Sequence, residues 1–193
     1  MYARTVKGEE LTFGVSGLLY KANVLMYDHQ TESLWSQVKR AAVAGPMTGT
    51  KLKVIPSSMT TWEKWSKRHP GTQVLSPDTG YSRDYTRDPY GNYRGSGWGN
   101  FLSNFIGRRL GEDEVQFVVG VQIGDSTRAY PLEQLRTAGS FSDRLAGKDL
   151  LVQYDRETDR VSVRSSGGEQ IEHLVVYWFV WKETHPGTAM FVP

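Results

Sequence analysis

The sequence contains no cysteine among its 193 residues. This absence excludes disulfide bonds, a thiol nucleophile, cysteine-ligated zinc and iron–sulfur clusters within the chain. The four histidines do not show the H-x-x-x-H spacing of a helical metal site. His69 and His185 each precede a Pro-Gly pair, which is typical of a turn. We therefore predict no metal and no cofactor, and we interpret these two histidines as cap or turn residues.

Long apolar runs and a strong excess of one charge are also absent. The longest apolar run, residues 174–181, has eight residues, whereas a helix that crosses a bilayer needs about 20. Glu9 and Glu10 lie where a signal peptide would have its apolar core. The formal net charge of +2 is too small to attract nucleic acid or an anionic membrane over a distance. We predict no membrane span in this chain and no nucleic-acid partner.

Aromatic residues and glycines, in contrast, are abundant. The sequence has 6 Trp, 10 Tyr, 7 Phe and 20 Gly. Aromatic side chains suit the half-buried surface of a sheet, and glycine suits tight turns. The length allows one domain or two small ones. Together these features predict an α+β fold that is dominated by strands.

Local patterns predict the elements of the first half. Residues 11–15 and 18–27 are expected to form two strands with a turn at Gly14 and Gly17. Residues 76–99 are rich in Gly, Pro, Asp and Tyr and have no periodicity, so we expect a long irregular segment.

Two helices are predicted on either side of this segment. Thr60 and Glu63 have the spacing of a capping box, so a short helix is expected to begin there and to stop before Pro70. An apolar stripe predicts a second helix over residues 100–109.

The second half is expected to contain a hairpin, a helix and further strands. Gly124 and Asp125 indicate a two-residue turn. Pro131 is predicted at the first position of a helix that Gly139 ends. The hairpin strands are expected at 115–123 and 127–130, and two more strands at 149–154 and 160–164. Residues 171–181 suit either a strand or a buried helix.

The chain also contains an internal repeat. WEKWSKRHPGT at residues 62–72 and WFVWKETHPGT at residues 178–188 have six identical residues at the same spacing. A weaker similarity relates the regions that begin at Arg4 and Arg164. In the first copy, the distance from this region to the tryptophan motif is about 44 residues longer than in the second copy. We predict two related units, residues 1–113 and 114–193, with a large insertion in the first.

The first unit is expected to be truncated at its N-terminus, because residues 114–161 of the second unit have no counterpart before Arg4. The alternative is a divergent duplication that never had this segment. A truncated unit would leave the strand at 11–15 with an unpaired edge, and self-association through that edge is expected. We also expect Trp62 and Trp178 to be structurally equivalent, each buried in its own unit.

Residues 78–85 concentrate polar and aromatic groups in the irregular segment. Arg83 could bind a carboxylate or phosphate of a ligand while neighbouring phenols and carboxylates orient it. Alternatively, Arg83 pairs with Asp84 or Asp88 and only pins a long loop. The candidate ligand-binding residues here are Asp78, Tyr81, Arg83, Asp84, Tyr85 and Tyr90.

A second polar-aromatic cluster contains Asp28, Trp35 and Gln37. We predict that Trp35 or Gln37 joins Arg83 and Asp84 in one concave site for a small polar ligand. No serine has a histidine at a spacing that indicates a nucleophile, and no glycine-rich stretch matches a phosphate-binding loop. The sequence therefore assigns no catalytic residue and leaves open whether the chain is an enzyme.

Three long stretches show a family resemblance. They are LTFGVSGLLYKANVLMYDHQTESLWSQ at residues 11–37, TTWEKWSKRHPGTQVLSPDTGYSRDYTRDPYGNY at residues 60–93 and VVGVQIGDSTRAYPLEQL at residues 118–135. They resemble the uncharacterised prokaryotic family catalogued as domain of unknown function 3179, and the resemblance covers nearly the whole chain. The positions that match the pattern of the family are Asp28, Trp35, Gln37, Asp78, Gly80, Tyr81, Arg83, Asp84, Tyr85 and Tyr90.

The resemblance implies a location and a chemistry but no reaction. Members of the family share an N-terminal hairpin and a Cys-Pro-Leu-Cys-like motif, sometimes with selenocysteine, that this sequence lacks. Many members have export or lipoprotein signals, which implies an extracytoplasmic location. We therefore expect an extracytoplasmic binding or redox-associated domain that holds a small polar ligand. The alternative is a structural or interaction module without a catalytic site.

Overall fold

The computed structural model describes residues 1–55, 57–86 and 112–192. Within these ranges strands dominate and three short α-helices are present, so the predicted α+β class is confirmed. None of these helices has the length and apolar character needed to cross a bilayer. The predicted helix at 100–109 lies outside the described residues.

The first half forms a four-stranded antiparallel sheet with a small hairpin before it. The hairpin consists of β1 (Thr5–Val6) and β2 (Glu9–Glu10). The strands of the sheet are β3 (Phe13–Tyr20), β4 (Asn23–Asp28), β5 (Leu34–Ser36) and β6 (Ala41–Ala44), and they lie side by side in this order. Leu11 and Trp35, both fully buried, pack with Val6, Ala42 and Leu52 in the core beneath the sheet.

The turn predicted at Gly14 and Gly17 is wrong. Strand β3 continues through both glycines, and the chain reverses at Lys21 and Ala22, whose φ angles are 50° and 59°. Two successive residues with positive φ match the twist of the paired strands, even without glycine. Gly17, with φ of 73°, lies instead in a register irregularity between Val15 and Leu19 of the kind that a β-bulge produces.

Helix α1 (Trp62–Arg68) ends before Pro70 as predicted, but its cap differs from the prediction. The side chain of Thr61, not Thr60, accepts the amide hydrogen of Lys64 at 3.3 Å. The Thr60 hydroxyl donates instead to the Asp159 carboxylate at 3.4 Å. Thr60 therefore contacts the second half of the chain and does not cap the helix.

The second half contains two sheets. Strands β7 (Phe117–Ile123) and β8 (Ser126–Pro131) form the predicted hairpin around Gly124 and Asp125. One sheet has the order β12-β7-β8-β13, with β12 (His173–Tyr177) antiparallel to β7 and β13 (Ala189–Met190) parallel to β8. The other has the order β11-β10-β9, from β9 (Ser140–Leu145), β10 (Lys148–Asp155) and β11 (Arg160–Ser165).

Two helices complete the second half. Helix α2 (Leu132–Ala138) buries Leu132 and Leu135 among the strands, with Pro131 at its N-cap instead of its first position. Gly139 ends α2 with φ of 83°, as predicted. Residues 171–181, for which the sequence suits either a strand or a helix, contain the strand β12 and the start of the buried helix α3 (Trp178–Thr184).

The two halves are in contact. Val38 of the first half packs with Trp178, Phe179 and other residues of the second in one buried cluster. The Arg40 guanidinium pairs with Glu172 at 2.9 Å. The predicted division falls at the short 3-10 helix Glu112–Val115, and the description of the halves as two related units stays a prediction.

Candidate functional site

Asp28 and Trp35 are hydrogen-bonded to each other in the core of the first half. The indole Nε1 of Trp35 donates to Oδ2 of Asp28 at 2.8 Å, and both residues are 0% exposed. Thr31 also donates to the carboxylate, from its amide at 2.5 Å and from its hydroxyl at 2.9 Å. Burial raises the pKa of Asp28, but these hydrogen bonds outweigh burial and hold the pKa below its ordinary value.

The connection between β4 and β5 positions this pair. Asp28 ends β4, Trp35 lies in the adjacent antiparallel strand β5, and Glu32 with φ of 54° turns the chain between them. Because neither side chain has exposed surface, a ligand cannot touch the pair in this conformation. The geometry indicates a role in holding the sheet together.

Gln37 lies in a separate, partly buried polar contact. Its side-chain oxygen accepts from Nδ2 of Asn23 at 2.9 Å, and its backbone carbonyl accepts from the hydroxyl of Tyr2 at 2.5 Å. These bonds join the start of the chain to the turn after β3.

The candidates at 78–85 are all exposed. Tyr81 and Tyr85 are 75% and 50% exposed, and the Tyr85 hydroxyl lies 2.8 Å from the hydroxyl of Thr79. Asp84 accepts from the amide of Thr86 at 3.0 Å and from its hydroxyl at 2.6 Å. Tyr90 and Asp88 lie outside the described residues. Two cavities of the described residues are lined by none of the sequence-predicted candidates.

The larger of these cavities lies in the second half. It has a volume of about 570 Å³ and opens between the β7–β8 turn and the turn that follows α3. The polar residues that line it include Gln122, Asp125, Ser126, Thr127, Arg128 and His185. The other cavity, of about 420 Å³, lies beside α2 and is lined mainly by apolar surface.

Arg128 has an anionic neighbour behind the cavity. Its Nε lies 3.1 Å from Oδ2 of Asp143, although the angle does not make a hydrogen bond. The buried hydroxyl of Tyr130 donates to the same carboxylate oxygen at 2.9 Å. Burial and the negative charge of Asp143 raise the pKa of Tyr130, so the phenol stays protonated as a donor.

His185 is held on the ring of Trp181. The ring centroids are 4.2 Å apart, and the buried Nε2 has no hydrogen-bond partner among the described residues. Burial lowers the pKa of His185, and the positive charges of Arg40, Lys39 and Lys21 lower it further. The imidazole is therefore neutral near pH 7, beside a concentration of positive charge.

Arg40 has the largest effect on His185 among these charges, and sequence reasoning missed it. Its backbone has φ of 57°, an uncommon conformation for a residue other than glycine. The side chain is 15% exposed, and its Nη2 is buried without a hydrogen-bond partner in the described part of the chain. Its charge also lowers the pKa of His173, after the larger effect of burial. A Lys-Arg pair in the sequence resembles ordinary surface charge, so no local signal identifies it.

The described residues contain no group of three metal-ligand side chains. A model of the family described as "Protein of unknown function (DUF3179)" matches residues 1–170. No curated protein and no solved structure matches the chain.

Proposed function

We infer that the chain belongs to the family described as "Protein of unknown function (DUF3179)", whose description gives no activity. From the geometry of the structure, we propose that this protein binds a small anionic molecule in the cavity at His185. The observation that supports this proposal is the cavity itself. Its volume of about 570 Å³ lies in the range of roughly 300–1,000 Å³ that is typical of small-molecule sites.

The donors around the cavity suit a carboxylate or phosphate group. Arg128 supplies a guanidinium, Ser126 and Thr127 supply hydroxyls, and Gln122 supplies an amide. Asp125 also lines the cavity, and Asp143 lies against Arg128. The support for an anion therefore comes from the positive charges of Lys21, Lys39 and Arg40, which reach His185 from the first half.

The test uses inorganic phosphate and succinate as probes. An anion bound beside His185 stabilises the imidazolium. A probe that binds in the cavity is therefore expected to raise the pKa of His185 in an NMR titration. Gln122→Ala removes a lining donor and is expected to weaken binding measured by calorimetry. Gln134→Ala, at the other cavity, is the matched control and is expected to leave binding unchanged. No shift at His185 with either probe, or equal binding by both variants, would contradict the proposal.

The second candidate function is an interaction module, and the edge of the first sheet favours it. Strand β3 ends the order β3-β4-β5-β6, and its Val15 and Leu18 are 76% and 54% exposed. Exposed edges of this kind recruit further strands. Self-association through β3 would make the sedimentation coefficient increase with concentration, and Val15→Lys is expected to abolish that increase. Leu75→Lys, at a 95% exposed loop residue, is the control. A concentration-independent monomer would exclude self-association through β3.

A further inference from the structure

The two tryptophan blocks of the sequence have the same local structure. In each, a seven-residue helix ends at a histidine that stacks on the second tryptophan with ring centroids 4.2 Å apart. Trp65 Nε1 donates to the hydroxyl of Thr72 at 3.0 Å, and Trp181 Nε1 donates to that of Thr188 at 3.1 Å. The similarity of local structure is limited to residues 62–72 and 178–188.

The surroundings of the two blocks differ completely. Trp178 and Trp181 are 9% and 0% exposed, whereas Trp62 and Trp65 are 53% and 40% exposed. The expectation that the tryptophans of both blocks are buried is therefore wrong for the first block. The same motif has a buried aromatic face in α3 and a half-exposed one in α1.

The structure shows what covers the face of α3. The ring of Trp181 lies directly on Gly120 of strand β7, where a Cβ atom would clash with it. The amide of Trp178 donates to the carbonyl of Gln116, just before β7, at 2.8 Å. Among the described residues no acceptor takes the equivalent amide of Trp62. In α3, the tryptophan motif thus packs on an antiparallel hairpin that has a glycine on its apolar face.

Helix α1 is already anchored by a different face. Lys64 donates from Nζ to Asp159 at 2.8 Å and to the carbonyl of Arg156 at 2.7 Å. Arg68 reaches the carbonyl of Thr158 at 3.4 Å. Around the axis of an α-helix, the mean direction of Lys64 and Arg68 lies about 110° from the mean direction of the two tryptophans. The β10–β11 turn therefore holds α1, and no strand in the described part of the chain covers its tryptophan face.

We propose that the exposed face of α1, formed by Trp62 and Trp65, is a docking site for an antiparallel β-hairpin that presents a glycine to Trp65. A buried aromatic side chain hides roughly 150–250 Å², so the exposed fractions of the two rings correspond to about 200 Å². A standard interface buries about 800 Å² on each partner. The patch is thus too small for a globular partner alone and fits two short strands.

The experiment tethers such a hairpin to the chain. A copy of residues 116–131, which includes β7 and β8, is joined to the N-terminus through a flexible Gly-Ser linker. A free hairpin is marginally stable in water, and the tether raises its effective concentration. Hydrogen exchange of residues 62–72 is followed by mass spectrometry. Docking is expected to slow exchange there about tenfold relative to the untethered chain.

Two variants test the geometry. Replacing the copied glycine of the tether by Val, or changing Trp65→Ala in the chain, is expected to remove the protection. Trp65 is half-exposed, so its removal is not expected to unfold the protein, and exchange of residues 178–188 reports on folding in every sample. An unchanged exchange rate at 62–72 would overturn the proposal. Protection that survives Trp65→Ala would also overturn it, because the protection would then not depend on the ring to which the glycine is proposed to dock.

Discussion

The indole of Trp35 donates to the carboxylate of Asp28 across two adjacent strands, and neither side chain reaches solvent. A buried carboxylate is costly unless donors surround it, and here Thr31 supplies two more. The pair therefore links the β4–β5 connection to the core of the first half.

Asp28→Asn is expected to destabilise the protein in a pH-dependent way. The folded-state pKa of Asp28 is lowered, so its contribution to stability is complete above the unfolded value near 3.9 and is lost as pH falls through the folded pKa. We expect a loss of about 1–3 kcal/mol at pH 7 that shrinks at acidic pH, measured by urea unfolding. Asp78→Asn, at an exposed loop residue, is the control. A pH-independent loss would show that the charge of Asp28 does not matter.

Trp181→Ala and Trp65→Ala are expected to differ strongly although the residues occupy the same place in the repeat. Trp181 is fully buried, so its removal should cost about 3–5 kcal/mol. Trp65 is 40% exposed, and its loss should cost less than about 1 kcal/mol. Denaturant unfolding of both variants measures the difference. Equal losses would mean that α1 is covered in solution.

Gly120→Ala is expected to destabilise the second half. The added Cβ would meet the ring of Trp181, and overpacking of this kind costs about 1–3 kcal/mol. Gly71 has no atom within 4 Å of an added Cβ, so Gly71→Ala is the matched control and should change stability by less than about 0.5 kcal/mol. Thermal unfolding of the two variants compares them. A neutral Gly120→Ala would show that Trp181 does not pack on β7 as described.

The ion pair of Lys64 and Asp159 is expected to anchor α1 until strongly acidic pH. Hydrogen bonds from Lys64 and then from Tyr154 lower the pKa of Asp159 to about 2. Because this pKa is lowered, the stabilisation is present above the unfolded value and disappears as pH falls toward 2. A double-mutant cycle with Lys64→Met and Asp159→Asn should give a coupling of up to about 1 kcal/mol at pH 7. Asn tolerates the φ of 54° at this position, so the backbone is not perturbed.

The control for this cycle is the exposed pair of Lys67 and Glu63 on the same helix. A smaller coupling is expected there, because solvent screens both groups. Equal coupling for the two pairs would indicate that the contact with the β10–β11 turn does not hold α1.

Elements that depend on local chemistry were predictable from the sequence. The hairpin at Gly124 and Asp125 and the helix end at Gly139 follow from backbone conformations that these residues favour. The reversal at Lys21 and Ala22 was not predictable, because neither residue favours positive φ and only the pairing of β3 with β4 imposes it.

The candidate site divides in the same way. Asp28 and Trp35 are seven residues apart and were recognised as one polar-aromatic cluster, although the structure buries them. Arg128 and His185 line one cavity from distant parts of the chain. No local pattern relates them, because β13 brings the segment after α3 beside β8 only in the folded protein.

The repeated tryptophan motif separates what the sequence determined from what tertiary structure decided. The motif by itself determined a seven-residue helix, a histidine at its end and a threonine that accepts the indole hydrogen, because these contacts lie within eleven residues. Tertiary structure decided which copy is buried. In α3 the second tryptophan is buried against Gly120 of β7, whereas among the described residues no strand covers the second tryptophan of α1.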